Sequence, residues 1–511
     1  MKGIPKVIAT IAIVLMISVG AGFITGQWEK CDLEGQVVIV HTNDSHGYYD
    51  ENLGFTSVAS IAKDYESRGA TVFVVDAGDA FQGTASTMLT HGHSTVPVMN
   101  AVGYDLMVPG NHEFDYTLDT YLGYVDELSF PTICANLDWK ETGESVFDEY
   151  MIIEKGGVRV GFFGLLTPDT MDVVYYGYLD DVTITDPVEA ASEIVGILEG
   201  EDVDYIVAVG HLGLDSSASV TSADVCSAVS GIDVFIDGHS HTEMEHGEVV
   251  DGSIQIDSGD TLIASTGCYI ECVGVVTLSD DPDAILIREW GSTDPAVDSA
   301  VNDVRSTEEG IFEEVLGSTL IDLDGERSSN RTVETNLGDL TADSLRWLTG
   351  AEIAIINGGM FRASIPIGEV DMGDVYAAIP FENLVGVKMV DGATLIDALE
   401  KGFSGLPGEA GCFPQVSGID VVYDSSAEVG SRVVSVTVGD SPLNPDRIYT
   451  VASIGYILDG GDGYTMFIDM PYTQMYGTMI DCLADYIRDL GIIEDVTMPR
   501  LIDIADEEEH L

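Results

Sequence analysis

Basic residues are what this chain has least of. Its 511 residues include 20 Lys and Arg against 88 Asp and Glu, a formal net charge of −68 at pH 7. No basic stripe is available to replace the counterions of a phosphate backbone, which excludes a nucleic acid polymer as partner. The acids are spread along the whole chain, apart from the run Asp506-Glu507-Glu508-Glu509. Such a spread suits high salt, where self-repulsion is screened. Cysteine pairs are missing as well. The seven cysteines (31, 134, 226, 268, 272, 412 and 482) form no CxxC and keep no regular spacing. That argues against a disulfide framework and for small buried side chains. There is no internal repeat and no low-complexity segment. Histidine is scarce too, with ten in all, so the places where it occurs carry information.

What is present fits a folded chain of two domains. Apolar residues make up 45% of the sequence and the mean hydropathy is +0.18, while the length exceeds one ordinary core. Met1-Lys2-Gly3-Ile4-Pro5-Lys6 precedes an uncharged stretch over 7–26. Two readings stand for 1–30: a signal peptide, with Val19-Gly20-Ala21 as cleavage site, or an uncut membrane anchor of about 20 apolar residues. Under both, the remainder lies outside the cytoplasm. From 36 to 290, short apolar runs at 37–40, 72–75, 106–108, 205–209 and 234–236 read as buried strands, and 58–68 and 187–198 as helices. That alternation predicts an α/β layered domain. A polar connection with helical character covers 291–318. A second α/β region over 319–505 shows helices at 336–348 and near 391–401, and strands at 353–356, 418–423 and 433–438. No protein partner is implied.

Each of the five N-terminal strands ends in potential metal ligands: His41-Thr42-Asn43-Asp44-Ser45-His46-Gly47, Asp76-Ala77-Gly78-Asp79, Gly110-Asn111-His112-Glu113-Phe114-Asp115, Gly210-His211 and Gly238-His239-Ser240-His241. Six of the ten histidines fall in these segments. In layered α/β folds ligands gather beyond the carboxyl ends of strands. In extended segments Asp44 and His46 point the same way, as do His239 and His241. Carboxylate, imidazole and amide donors without thiolate suit Zn, Mn, Fe or Mg. A shared carboxylate can hold two such ions about 3.5–4 Å apart, the arrangement that activates water for in-line displacement. Taken singly, Asp44-Ser45-His46 reads as a solvated turn and Gly210-His211 as a packed histidine; the five together read as a two-metal site.

The series Asp-x-His, Gly-Asp, Gly-Asn-His-Glu, Gly-His and Gly-His-x-His resembles the calcineurin-like metallophosphoesterase signature. The fuller wording at 41–47, 77–83 and 110–115 resembles its 5′-nucleotidase / UDP-sugar hydrolase branch. The resemblance implies a four-layer α-β-β-α catalytic domain and two divalent cations. Asp44, His46, Asp79 and His241 would hold one ion. Asp79 as bridge, with Asn111, His211 and His239, would hold the other. His112 and Asp115 would form a dyad aimed at the phosphate. Some members of the branch carry an amide where this chain has His241.

The second region extends the resemblance. Arg327-Ser328-Ser329-Asn330-Arg331 and Asn357-Gly358-Gly359-Met360-Phe361-Arg362 are similar to that branch's C-terminal motifs, and imply that Arg327, Arg331 and Arg362, three of twelve arginines, receive phosphate. Pro380-Phe381-Glu382-Asn383 and the run from Gly455-Tyr456 to Asp462-Gly463-Tyr464 are similar to its base-binding segments. Phe381 and Tyr456 would sandwich a nucleobase, Asp462 would accept from ribose, and Asn357 and Asn383 would lie near the base. The branch has Phe more often than Tyr in the second slot. The implied activity is hydrolysis of nucleoside 5′-monophosphates. Alternatives are UDP-sugars, nucleoside di- or triphosphates or 2′,3′-cyclic nucleotides as substrate, a thiosulfate ester, or a surface nucleotide-binding protein without turnover.

Overall fold

The structure, a computed structural model, describes residues 33–174, 177–250, 258, 260–381 and 383–505. The segment expected to be a signal peptide or anchor lies outside the described residues. Among those described, no helix is long and apolar enough to cross a membrane.

Two five-stranded sheets face one another in the first half. One runs in the order Asp283–Ile287, Val273–Leu278, Val37–Thr42, Thr71–Asp76, Leu106–Met107; the other in the order Leu262–Ala264, Val234–Asp237, Tyr205–His211, Val158–Leu166, Tyr150–Lys155. Successive strand residues face opposite sides, so a strand apolar at every position must be covered on both. Val37, Ile39, Phe73 and Val75 accordingly meet Phe162, Val207, Val209 and Ile236 between the sheets. Val38, Val40, Val72 and Val74 pack outward against helices Gly54–Ser67 and Thr95–Val102. Ile206, Ala208 and Phe235 pack outward on the other side against Ala191, Ile194 and Val195 of helix Pro187–Leu198. These are the expected α-β-β-α layers. Val37–Thr42, Thr71–Asp76 and Leu106–Met107 are mutually parallel, as are Val158–Leu166, Tyr205–His211 and Val234–Asp237. Each set therefore delivers its carboxyl ends to one edge of its sheet.

The connection over 291–318 holds the helix Pro295–Phe312, started by Asp294, whose carboxylate accepts from the Ala296 and Val297 amides. Its apolar stripe, Val297, Val301 and Val304, joins the core of the first half. The second half has a five-stranded sheet ordered Pro414–Ser417, Ile353–Asn357, Ile448–Ile454, Leu384–Asp391, Tyr472–Thr478. Helices Asn336–Thr349 and Met479–Leu490 share its core. Between the halves, His91 pairs with Asp481 at 2.9 Å, and the Tyr178 hydroxyl donates to the Tyr476 carbonyl at 3.3 Å.

One buried cation fixes the loop that follows strand Ile448–Ile454. Lys388 is 2% exposed, and its Nζ donates to the carbonyls of Leu458 (3.0 Å) and Phe467 (3.1 Å) above the Tyr472 ring. Burial pulls its pKa below the ordinary lysine value, opposed by Asp459 at 3.6 Å. Lys388→Met removes both hydrogen bonds and leaves two carbonyls without a donor. It should destabilise the second half by about 1–3 kcal/mol. Urea unfolding followed by tryptophan fluorescence checks this, and an unchanged midpoint would contradict it.

Candidate metal centre

The ligand-bearing segments leave their strands by turning, not by extending. Strand Val37–Thr42 stops before Asp44, and Val234–Asp237 stops before His239. Asp44 (φ 48°), His46 (49°), Asp79 (59°), His239 (79°) and His241 (52°) all adopt left-handed backbone. The extended geometry expected for Asp44/His46 and His239/His241 is therefore corrected. The residues do converge, but through strained turns, and His239 and His241 point into different donor groups. Such residues cost on the order of 1–3 kcal/mol each and persist only where the surroundings over-determine them. Here the Asp44 amide donates to the Gly78 carbonyl and the His46 amide to the Asp79 carbonyl, both at 2.9 Å.

Two donor groups result, Asp44/His46/His241 and Asp79/His211/His239, each with its donor atoms within 4.8 Å of one another. Asp79 Oδ2 lies 3.0 Å from His211 Nε2 and 4.0 Å from His46 Nε2, and so stands between the groups. His46 Nδ1 is bonded to the Gln82 carbonyl (2.8 Å) and His211 Nδ1 to the Ala77 carbonyl (2.7 Å). Both rings thereby present Nε2 to the centre, the usual carbonyl-oriented geometry of metal-binding histidine. Asn111 Oδ1 is buried with no hydrogen-bond partner among the described residues, a costly state that a cation would relieve. The cradle also has no spare room. A Cβ on Gly110 would fall 2.2 Å from Asp79 Oδ1 and 2.8 Å from His211 Cε1. Donor chemistry, the unpartnered Asn111 oxygen and shape all fit two divalent cations.

The surrounding shell contains residues that sequence reasoning passed over. The buried Glu113 carboxylate accepts from the amides of Asp79 (2.8 Å), Ala80 (2.7 Å), Phe81 (3.2 Å) and Gly110 (2.5 Å). It thus ties the loop carrying Asp79 to the loop carrying Asn111. Burial, then the nearby Asp79 charge, pushes its pKa up to about 7 against these hydrogen bonds. Asp237 accepts from the Leu212 and Gly213 amides and from Ser222, fixing the turn after His211. Its signal was an acid at the end of an apolar strand, one residue before the ligand motif. Tyr48 and Tyr269, their tilted rings 4.5 Å apart, line the 460 Å³ metal cavity with no sequence signal beyond their proximity to it. His41, inside the first motif, is not part of the cradle: it is buried, and burial drives its pKa down to about 3.

His112 lines the same cavity, and its Nδ1 meets Asp115 Oδ2 at 2.6 Å. This bond leaves Nε2 free to face a ligand. Burial works against the imidazolium, but the Asp79 charge and then the Asp115 hydrogen bond outweigh it, and the pKa is pushed up to about 9.

In the second half, Arg331, Asn357, Arg362, Phe381, Asn383, Tyr456 and Asp462 line one cavity of 450 Å³. Arg362 lies over the Phe381 ring at 4.6 Å. Arg331 Nε and Asn357 Oδ1 are buried without a partner among the described residues. Arg327 does not line the cavity; it begins the short helix Arg327–Asn330 leading to Arg331. Burial, then the charges of Arg331 and Arg327, lowers the Arg362 pKa. The metal cavity and this one have no lining residue in common.

The model of the calcineurin-like phosphoesterase family matches residues 37–243, and that of the 5′-nucleotidase C-terminal domain matches 315–469. The trifunctional nucleotide phosphoesterase protein YfkN of Bacillus subtilis is 29% identical over 89% of this chain, which spans only 34% of that longer protein. A 5′-nucleotidase of Diplobatis ommata is 27% identical over 91% of this chain and 90% of its own. The crystal structure of a 5′-nucleotidase precursor from Thermus thermophilus superimposes with a TM-score of 0.52 at 28% identity, covering 92% of this chain and 99% of that one.

Two outcomes follow from the shell. Glu113→Gln keeps the shape but turns an amide N–H toward amides that need an acceptor, so the Asp79 and Asn111 loops should lose register. Metal affinity should fall about 10–100-fold, read by elemental analysis after dialysis against graded chelator; full retention would show that the tie is not needed. Asp115→Asn removes a charge that raises the His112 pKa. The imidazolium is then lost at lower pH, and the alkaline limb of the kcat profile should move toward neutrality.

Proposed function

We propose that this chain, which belongs to the calcineurin-like phosphoesterases carrying a 5′-nucleotidase C-terminal domain, hydrolyses nucleoside 5′-monophosphates to nucleoside and phosphate. The observation that carries the reading is the pairing, in one chain, of a two-group metal cradle with a second cavity lined by the Phe381 and Tyr456 rings, two arginines and the Asp462 carboxylate. A phosphatase needs only the first. The cavities share no lining residue, so the reading requires them to face one another across the domain boundary when substrate is bound. The apolar segment over 7–26 supports an extracytoplasmic site of action.

Asp44, His46 and His241 would hold one cation, and Asp79, Asn111, His211 and His239 the other, with Asp79 shared. Bound there, the pair supplies a water nucleophilic near neutral pH and neutralises phosphate charge. The remaining work falls to the chain. Phe381 and Tyr456 hold the base, Asp462 accepts from the ribose, and Arg331 and Arg362, with Arg327 behind them, draw the phosphate toward the cleft. Asp115 keeps Nδ1 of His112 engaged. Nε2 can then donate its proton to the ester oxygen as water adds to phosphorus and the P–O5′ bond breaks.

His112→Ala should lower kcat on the order of 10²–10⁴-fold while both metals stay bound, since His112 is assigned to the phosphate and not to a cation. A parallel loss of metal content would make it a ligand instead. The nucleotide reading is tested by replacing Phe381 and Tyr456 together with Ala. KM for AMP should rise by one to a few orders of magnitude, at about 1–3 kcal/mol per stacking contact. Hydrolysis of p-nitrophenyl phosphate should change far less. If both substrates suffer alike, or the parent prefers the base-free ester, the chain is a general phosphatase.

A further inference from the structure

The Tyr456 hydroxyl is engaged within the pocket it lines. It accepts from the Asp462 amide at 3.2 Å and donates to Asp462 Oδ1 at 3.1 Å. On the other side, Asn357 Nδ2 donates to Asp462 Oδ2 at 2.7 Å. Asp462 itself sits in left-handed backbone, φ 51°, a strained state that needs external support. The Tyr456 ring lies so close to the preceding residue that a Cβ on Gly461 would come within 2.6 Å of it. Ring, turn and carboxylate are thus one rigid unit on the wall of the cavity.

An ionised carboxylate offers about four acceptor positions, two per oxygen. Tyr456 takes one on Oδ1 and Asn357 one on Oδ2, and each oxygen keeps one. A carboxylate pinned at both oxygens in this way is a two-point acceptor matched to a pair of adjacent hydroxyls. We propose that Tyr456 is a positioning residue as well as a stacking surface: its hydroxyl holds Asp462 so that the pocket selects the vicinal diol of a ribonucleoside over 2′- or 3′-deoxyribonucleosides. This rests on the nucleoside-pocket reading above. A phenylalanine in the same place keeps the ring and the stack, but releases one carboxylate oxygen and the strained turn. The consequence is loss of sugar selectivity and not of base binding.

The test compares the parent, Tyr456→Phe and Asp462→Ala by calorimetric binding of adenosine, 2′-deoxyadenosine and 3′-deoxyadenosine, and by kinetics on the corresponding 5′-monophosphates. The parent should favour the ribo form. Tyr456→Phe should weaken adenosine binding about three- to tenfold, the worth of one to two hydrogen bonds, and weaken the deoxynucleosides less, so that the ribo/deoxy ratio collapses. The kinetic effect should fall on KM and not on kcat. A ratio in Tyr456→Phe equal to the parent's, while Asp462→Ala abolishes it, overturns the positioning role and leaves the nucleoside pocket standing. Equal weakening of all three nucleosides also overturns it, since that marks the hydroxyl as packing support alone. A parent that binds none of the three overturns the pocket reading itself.

Discussion

The metal cradle depends on one buried carboxylate that would touch no metal. Glu113 gathers four backbone amides from two loops that leave adjacent parallel strands. Without an acceptor there, those donors would be buried and unpaired, each costing about 1–3 kcal/mol. With it, Asp79 and Asn111 are held in register by hydrogen bonds that do not compete for their own side chains. Strain at Asp44, Asp79, His239 and His241 is tolerable because the sheets beneath are covered on both faces and cannot relax. Rigidity of this kind is what a two-metal site requires, since donors displaced by a fraction of an ångström no longer suit both ions.

The extreme negative charge sets a second constraint. A chain at −68 repels an anionic substrate over distances set by the Debye length, about 8 Å at physiological salt. Attraction must therefore be local: the cations at one end, Arg331 and Arg362 at the other. That these two line a cavity in a chain with twelve arginines is consistent with charge conserved for substrate. Salt that screens the acidic surface would leave the buried donors largely unaffected, so the acidic composition and the active-site chemistry can vary separately.

Much of this was legible in the sequence because continuous apolar runs and strand-end polar motifs have direct physical causes. The strands 37–40, 72–75 and 234–236 are bounded within a residue or two in the structure, and the helix expected at 187–198 is found as Pro187–Leu198. The connection read as having helical character does carry a helix; its packing into the core was not read, since a stripe of three valines spaced by four and three residues is easily masked by surrounding acids. The convergence of Asp44 with His46 was anticipated, but from strand alternation; left-handed φ at non-glycine residues has no sequence signature. Glu113 was part of a recognised motif without an evident role, because four backbone amides converging on it exist only once two loops have folded together. Arg327 was grouped with Arg331 through the resemblance of their shared motif, but it begins the four-residue helix that leads to Arg331 and does not itself line the cavity.

The two ends of the proposed substrate path share a device. Asp44 and Asp79 at the metal end and Asp462 at the sugar end all sit at positive φ, 48°, 59° and 51°, and all have carboxylates fixed by neighbours. In each of these turns neighbours clamp the carboxylate: the His239 amide on Asp44, the His112 amide on Asp79, and Tyr456 and Asn357 on Asp462. The strain of about 1–3 kcal/mol per residue is met during folding, so little reorganisation is left for binding. At the metal end the result is charge aimed where cations sit. At the sugar end, with Tyr456 and Asn357 as clamps, it is lone pairs aimed where two hydroxyls arrive. On the proposed reading, selectivity for a phosphate ester and selectivity for a ribose would come from the same backbone choice applied to different surroundings.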